Sequence, residues 1–387
     1  MQPVLDLSKT YAVALEGGGA KGGYEIGVWK ALDEAGVRVE AVSGTSVGAL
    51  NGALMTMHAY DKALEAWSNI KMTSVMAIGE SEAADLKRML SGNVPLLELP
   101  DYLPKLLGLI DQRGLDVAPL RAWIRQLVDP AAIRSSDISL FVTTVSLTER
   151  KGLEIKVNDL DSDDAIFDML LASAYHPAFK NEPLFDGKQY LDGGAFDSLP
   201  LHVLIDNGYR NIIAVRLPGG LGIDRWFRMP DDAHITTIKP NVDLGGTLDF
   251  DAERSLFHMK VGYFDTQRAL YGLYGRRYYV RRTLSDRNAL DWILDRYERG
   301  GTEEPLRKRI EQTLPAEARR LDARDGDYYE LMLAILEEEA LQRGVDPFCI
   351  RTDRELMRAS ADAELARRKA ESSDAESTKP KAESAQL

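Results

Sequence analysis

A chain of 387 residues with 44% hydrophobic and 8% aromatic side chains has the composition of a globular protein, which excludes a disordered or fibrous one. Its 48 basic and 61 acidic residues leave a net charge of −13, which disfavours nucleic acid as a partner because like charges repel. The single cysteine, Cys349, leaves no partner for an intrachain disulfide.

The sequence shows no signal for membrane insertion. No segment approaches the ~20 consecutive apolar residues that a spanning helix needs. The N-terminus "MQPVLDLSKT" lacks a basic flank followed by a long apolar stretch, so it does not read as a signal peptide. We therefore expect a cytoplasmic protein that at most contacts membranes peripherally.

From residue 11 to about residue 217, short β-rich runs alternate with helical patterns. This alternation is typical of βαβ units and predicts an α/β fold with a mostly parallel central sheet flanked by helices. Residues 61–128 show helical patterns only and predict a helical cap or insertion, which includes the leucine-rich stretch 94–110.

The β pattern resumes at "SLFVTTVSL" and runs through "HITTIKP" to "RRYYVRR", with an amphipathic helix predicted over residues 251–270. From residue 285 onward every segment reads as helical. The sequence thus predicts a first domain over residues 1–284, a C-terminal helical subdomain over 285–360 and a polar tail over 361–387. We expect this tail to be mobile at its end because it has almost no large apolar residues.

The first candidate site is the glycine-rich loop in "YAVALEGGGAKGG". Gly17, Gly19 and Gly22 satisfy G-x-G-x-x-G between a predicted strand and a predicted helix, as in a dinucleotide-binding turn. Glu40 lies at about the distance of a ribose-binding acid, although it opens the next strand instead of ending it. A phosphate-binding Walker loop fits worse, because Gly22 is followed by Gly23. Taken alone, the loop predicts an anion site without naming the anion.

The second candidate is Gly44-Thr45-Ser46-Val47-Gly48, a G-x-S-x-G motif between a predicted strand and a predicted helix. A serine on a tight turn projects from the backbone, and the glycines on either side let neighbouring chains approach. A helix N-cap would explain Ser46 but not the two glycines. Ser46 is therefore a candidate nucleophile.

A nucleophilic serine needs a base. Asp192 is the better candidate because it ends a predicted strand and is followed by Gly193 and Gly194, which leave room for a second loop. The other interpretation is a turn in which Asp192 accepts its own backbone N–H groups. Of the histidines, only His176 stays as an alternative base, since the rest fall in predicted helices or at a strand start. The chain's histidines are His58, His176, His202, His234 and His258.

Together these motifs resemble those of the patatin-like phospholipase family. The matching segments are the glycine loop at residues 17–22, the motif at residues 44–48 and Asp192-Gly193-Gly194, in that order. "ASAYHPAF" and "SLPLHVLIDNGYRNIIAV" give further support. The resemblance covers residues 11–215 well and does not include the helices after residue 285. It implies a patatin-like three-layer sandwich and an acyl hydrolase function for the first domain.

The resemblance further implies a Ser/Asp dyad without histidine, with Ser46 as nucleophile and Asp192 as general base. It implies that backbone N–H groups of Gly18 and Gly19, with Gly17, hold an oxyanion. The implied substrate is a lipid ester, with phospholipid or lysophospholipid as the leading class, and neither a metal nor a cofactor is required. Residues that support the motifs are Lys21, Gly22, Gly44, Gly48, Gly193 and Gly194.

Two other classes of function stay open at this point. The first is an interaction protein that keeps the fold without turnover and binds through its C-terminal helices. The second is a dinucleotide-dependent enzyme, which predicts cofactor binding and indifference to the loss of Ser46. The apolar stretch 94–110 and the pair Trp226-Phe227 are candidates for contact with lipid. The basic segment "GRRYYVRR" is interpreted as an edge strand whose charges prevent pairing with other strands.

Overall fold

The computed structural model describes residues 2–79, 115–180, 182–184, 186–217, 225, 229–299 and 304–377, with residues 371–377 as backbone only. The apolar stretch 94–110 and the pair Trp226-Phe227 lie outside the described residues, as does most of the predicted cap. The chain divides into two compact units, Met1–Tyr271 and Gly272–Leu387. The predicted domain boundary after residue 284 therefore falls inside the second unit.

The first unit contains a central sheet of seven strands. Six strands follow the order β4-β3-β2-β1-β6-β7, and β5 also pairs with β3. Strands β1, β2, β3, β6 and β7 are mutually parallel, whereas β4 and β5 run antiparallel to β3. The predicted α/β class with a mostly parallel sheet is confirmed. The strands are β1 (Thr10–Leu15), β2 (Arg38–Thr45), β3 (Ser139–Ser146), β4 (Lys151–Lys156), β5 (Tyr190–Asp192), β6 (Asn211–Val215) and β7 (His234–Ile238).

Helices connect these strands, and the predicted helix over residues 251–270 is confirmed to within one residue at each end. A parallel sheet with crossover helices is buried on both faces, which explains why β1 and β6 are almost continuously apolar. The helices of this unit are α1 (Gly23–Glu34), α2 (Val47–Thr56), α3 (Tyr60–Ser68), α4 (Ala118–Leu127), α5 (Pro130–Ser135), α6 (Asp163–Ser173), α7 (Leu201–Asp206) and α8 (Ala252–Tyr271).

Helices α1 and α8 approach each other closely because each has a glycine at the contact. A Cβ atom on Gly27 would lie 1.9 Å from the Met259 carbonyl oxygen, and one on Gly262 would lie 2.0 Å from the Tyr24 carbonyl oxygen. The Tyr24 hydroxyl donates a hydrogen bond to Asp265 over 3.0 Å. This contact fixes the start of α1, and with it the glycine loop that precedes α1.

The second unit contains helices and a two-stranded parallel sheet, β8 with β9. The prediction that "RRYYVRR" continues the main sheet was wrong, because β8 pairs with a segment predicted to be helical. Val280 of β8 is fully buried in the apolar core of this unit. The elements are β8 (Tyr279–Arg281), α9 (Asp286–Arg299), α10 (Leu306–Lys308), α11 (Leu314–Arg320), α12 (Tyr328–Gln342), β9 (Ile350–Thr352) and α13 (Asp353–Ser377).

Helix α13 extends into the predicted tail. Residues 361–377, expected to belong to a polar tail, continue this helix to Ser377. Glu364 lies 3.2 Å from Arg367 and 2.8 Å from Arg368, three and four residues further along. Such pairs stabilise a helix that has few apolar residues.

A buried carboxyl group on α1 predicts a measurable dependence of stability on pH. Glu25 is 1% exposed, and burial raises its pKa from 4.5 to about 8, opposed by a 2.7 Å hydrogen bond that Asn51 donates to it. Glu25 therefore stabilises the fold most below pH 4.5. This contribution falls by up to about 1.4 kcal/mol per pH unit until the pH passes 8.

We expect Glu25→Gln to match the wild type in free energy of unfolding at pH 5 and to exceed it by a few kcal/mol at pH 8, since glutamine mimics the neutral carboxyl group. Denaturant titrations of both proteins at the two pH values measure this. An identical difference at pH 5 and pH 8 would mean that the native state does not hold Glu25 protonated.

Candidate active site

The pairing of β3 brings Ser46 and Asp192 together. On one edge of β3, Thr143 pairs with Thr45 at the end of β2, and the next residue, Thr144, pairs with Asp192 at the end of β5. Strand β4 pairs along the other edge of β3. Strand β5 therefore pairs with the same edge of β3 as β2 does, just beyond the end of β2, and runs antiparallel to β3. Ser46 directly follows β2, and it therefore emerges beside Asp192.

The backbone around Ser46 is sharply bent. Ser46 has φ 56° and ψ −124°, a conformation that non-glycine residues rarely adopt. A Cβ atom on Gly44 would lie 2.3 Å from the Gly48 carbonyl oxygen, and one on Gly48 would lie 2.5 Å from the Leu15 carbonyl oxygen. The two glycines thus permit both the turn and its approach to β1. The Ser46 hydroxyl makes no capping hydrogen bond to α2, so the side chain is not a helix cap.

Asp192 is a buried carboxyl group with an elevated pKa. It is 8% exposed, and burial raises its pKa to about 6 against the opposing effects of hydrogen bonds from the Ser46 side chain and the Gly194 N–H. The Gly194 N–H lies 2.8 Å from Asp192 Oδ1. The side chain of Asp192 therefore accepts a backbone N–H within its own turn, as the other interpretation of the sequence proposed. It also contacts the Ser46 side chain.

The glycine loop packs directly on the turn that carries Ser46. A Cβ atom on Gly17 would lie 3.1 Å from Ser46 Cβ. Within the described part of the chain, the Gly18 and Gly19 N–H groups have no acceptor, whereas the Gly17 N–H donates to the Ser198 carbonyl oxygen over 3.2 Å. The Gly17 N–H, expected to join the oxyanion donors, is therefore already paired with Ser198 in this structure.

The residues that support the motifs are held tightly. Lys21 is buried rather than exposed to solvent, and burial lowers its pKa while Asp243 and Glu16 oppose that shift. A Cβ atom on Gly22 would lie 2.5 Å from the Trp67 ring, and one on Gly193 would lie 2.1 Å from the Thr143 carbonyl oxygen. By contrast, the one described neighbour that a Cβ atom on Gly194 would meet is the side chain of Asp192, at 3.1 Å.

Ser46 lies in the wall of an apolar pocket that is open to solvent. The volume of the pocket, including its open mouth, is about 470 Å³. Neither the two tryptophans of this pocket nor the loop at residues 247–250 was singled out from the sequence, because none of them belongs to a local motif. The described residues that line the pocket are Gly19, Ser46, Val47, Leu50, Trp67, Val75, Leu120, Trp123, Ala174, His176, Phe179, Thr247, Leu248 and Phe250.

His176 lines this pocket, and its Nδ1 atom accepts the Ala178 N–H over 3.2 Å. Burial lowers the pKa of His176. The other four histidines do not line the described part of the pocket. His58 contacts Asp137, His202 contacts Asp197, and His258 contacts the Leu244 carbonyl oxygen, while His234 lies in β7.

The position of Glu40 does not fit a dinucleotide site. The glycine loop follows β1, whose last residue, Leu15, pairs with Gly44 near the end of β2. Glu40 lies four residues earlier on β2, and a strand rises about 3.3 Å per residue. Glu40 therefore lies about 13 Å back along β2 from the residue next to the glycine loop.

Metal-site clusters and membrane-spanning helices are both absent from the described residues. No group of three or more histidine, cysteine, aspartate or glutamate side chains with the geometry of a metal site occurs among them. Within the same residues, none of the helices is both long enough and apolar enough to cross a membrane.

Known proteins are similar to parts of this chain. Over 46 residues, which are 12% of this chain and 3% of the relative, it is 50% identical to "Lysophospholipase nte1" of Aspergillus terreus. Over 207 residues, 52% of this chain and 12% of the relative, it is 25% identical to "Neuropathy target esterase sws" of Drosophila melanogaster. The chain thus spans a small part of each relative. The crystal structure of VipD from Legionella pneumophila aligns with 92% of this chain and 88% of its own, at 15% identity and a TM-score of 0.36.

Residues 13–205 match the family model described as "Patatin-like phospholipase". This segment contains the glycine loop, the turn that carries Ser46 and the Asp192 turn. By that match the chain belongs to the patatin-like phospholipase family.

Proposed function

We propose that the chain is a serine lipid acyl hydrolase that cleaves carboxylic ester bonds of phospholipids or lysophospholipids. The observation that carries this proposal is the contact between Ser46, on a bent turn in the wall of an apolar pocket, and the buried carboxyl group of Asp192. A hydroxyl group next to a carboxylate of raised basicity is a suitable nucleophile for an ester.

In the proposed mechanism, Asp192 accepts the Ser46 hydroxyl proton as the oxygen attacks the ester carbon. Its pKa of about 6 leaves it mostly ionised at neutral pH and more basic than an ordinary aspartate. The N–H groups of Gly18 and Gly19 stabilise the oxyanion of the tetrahedral intermediate. Protonated Asp192 then gives its proton to the departing alcohol, which leaves an acyl group on Ser46. Water attacks this acyl group with Asp192 again as base, and the fatty acid departs.

The pocket supports an acyl chain as the part of the substrate that binds next to Ser46. The described part of its lining is apolar except for Ser46, His176 and Thr247. Burying methylene groups against Trp67 and Trp123 stabilises the complex by about 0.8 kcal/mol per group. The name of the fungal relative agrees with a lysophospholipid, and we propose this class as the first substrate to test. The cytoplasmic location, with at most peripheral membrane contact, stays a prediction.

A fluorogenic medium-chain ester and a lysophosphatidylcholine test the proposal against its two rivals. We expect the wild type to hydrolyse both, and Ser46→Ala to lose at least about 10³-fold in kcat. Ser135→Ala removes an exposed serine hydroxyl from helix α5 and serves as the control, with unchanged turnover. A folded wild type without turnover supports the interaction protein, and calorimetric binding of NAD with no effect of Ser46→Ala on function supports the dinucleotide enzyme.

A further inference from the structure

The end of helix α6 holds the backbone of the turn that carries Ser46. Ser173, the last residue of α6, is 0% exposed. Its Oγ atom accepts the Ser46 N–H over 2.9 Å and donates to the Thr143 carbonyl oxygen of β3 over 2.7 Å. One hydroxyl group thus connects this turn to β3, the strand that pairs with both β2 and β5.

The same segment also holds the backbone next to Asp192. The Asp192 N–H donates to the Tyr175 carbonyl oxygen over 2.9 Å. The Thr144 hydroxyl lies 2.9 Å from the Ala172 carbonyl oxygen and 3.0 Å from the Leu191 carbonyl oxygen, and so ties β5 to the end of α6. Residues 172–175 therefore contact both members of the proposed dyad from one side.

Ser46 depends on an outside acceptor for its N–H. As the residue that precedes α2, it has no acceptor within the helix, and its backbone is in a strained conformation. Ser173 supplies that acceptor across 127 residues of sequence. Without it, the Ser46 N–H loses this acceptor, and the turn relaxes toward a more common conformation.

We propose that Ser173 is a positioning residue that sets the distance and angle between the Ser46 hydroxyl and the Asp192 carboxylate. This inference rests on the proposed function. Ser173 touches neither the substrate nor the reacting atoms and acts through the Ser46 peptide. Displacing a nucleophile by a fraction of an ångström reduces the rate of the chemical step far more than it weakens substrate binding.

The experiment compares Ser173→Ala with Thr266→Val, which removes another fully buried hydroxyl group. Among the described residues, the Thr266 hydroxyl bonds only to the Gly262 carbonyl oxygen, within helix α8. We expect Ser173→Ala to lower kcat for the fluorogenic ester by about 10- to 100-fold with KM within about threefold. The rate of Ser46 labelling by a fluorophosphonate is expected to fall by the same factor. Thr266→Val is expected to lose a similar amount of thermal stability and to keep its kcat.

Further readouts separate positioning from stability. The loosened contact with Ser46 is expected to raise the pKa of Asp192, so the acidic limb of kcat/KM for Ser173→Ala moves to higher pH. Ser173→Cys keeps a weak donor and acceptor of similar size and is expected to recover part of the kcat. If Ser173→Ala fails to fold, Ser173→Cys becomes the test, because its longer bond to sulfur and weaker hydrogen bonds still displace the Ser46 peptide; a wild-type kcat and labelling rate in this variant overturn the proposal.

A Ser173→Ala variant that loses stability like Thr266→Val but keeps its kcat and labelling rate also overturns it. Labelling of wild-type Ser46 without lipid turnover overturns the lipid substrate alone, since the labelling rates still test Ser173. The absence of any Ser46 labelling in the wild type overturns both proposals.

Discussion

Asp192→Asn is expected to reduce kcat by about 10³-fold while leaving the fold intact. Asparagine has the shape of aspartate and still accepts the Gly194 N–H through its side-chain oxygen, but it has no basic oxygen to take the Ser46 proton. Steady-state kinetics on the fluorogenic ester, with a thermal melt of each variant, measure this. The KM is expected to change little because Asp192 lies outside the described lining of the pocket.

His176→Ala is the control for this prediction, because His176 is the alternative base. It is expected to keep kcat within a few-fold of the wild type while KM rises, since the ring packs against Phe179 in the pocket wall. In the wild type, kcat/KM is expected to fall as the pH drops below about 6, where Asp192 becomes protonated. A large loss of kcat in His176→Ala with a small one in Asp192→Asn would assign the base to His176.

The second large effect concerns the glycine loop. Gly19 has φ +56°, and a Cβ atom on it would lie 2.2 Å from the Thr247 carbonyl oxygen. Alanine at this position moves the loop and its free N–H groups away from the oxyanion. We expect Gly19→Ala to lower kcat by about 10²- to 10³-fold and to change KM much less, because the oxyanion exists only after attack.

Gly36→Ala is the matched control, since Gly36 also has a positive φ, +76°, but no atom of the described residues lies within 4 Å of a Cβ at that position. It is expected to lose about 1 kcal/mol of stability through backbone strain and to keep its turnover. Equal effects of the two substitutions on kcat would mean that the loss at Gly19 reflects general destabilisation rather than the oxyanion site.

Local signals in the sequence were enough to predict the class of the fold and the two side chains of the candidate dyad. The apolar runs of β1 and β6 mark buried parallel strands wherever they occur in a chain. A Cβ atom on Gly44, Gly48 or Gly193 would lie only 2.1–2.5 Å from a backbone oxygen, so each position requires glycine. These glycines appear in the sequence at fixed distances from Ser46 and Asp192. The motifs could therefore be recognised without the structure.

Other parts of the site depend on partners far away in sequence and have no local signature. The Gly17 N–H is used by Ser198, and Ser46 is held by Ser173, 127 residues away. The pocket wall at Thr247 and the β8–β9 pairing likewise arise only when distant segments meet. Helical patterns around residues 350–352 concealed a short strand, because three residues are too few to show a periodicity.

The central claim is that an acyl group is transferred to Ser46 and that Asp192 activates this serine. The most direct measurement is mass spectrometry of the intact and digested protein after reaction with a fluorophosphonate probe. We predict one adduct per chain in the wild type, on the peptide that contains Ser46, and much slower labelling of the same peptide in Asp192→Asn. An adduct on any other residue, or equal labelling rates in the two proteins, would contradict the account.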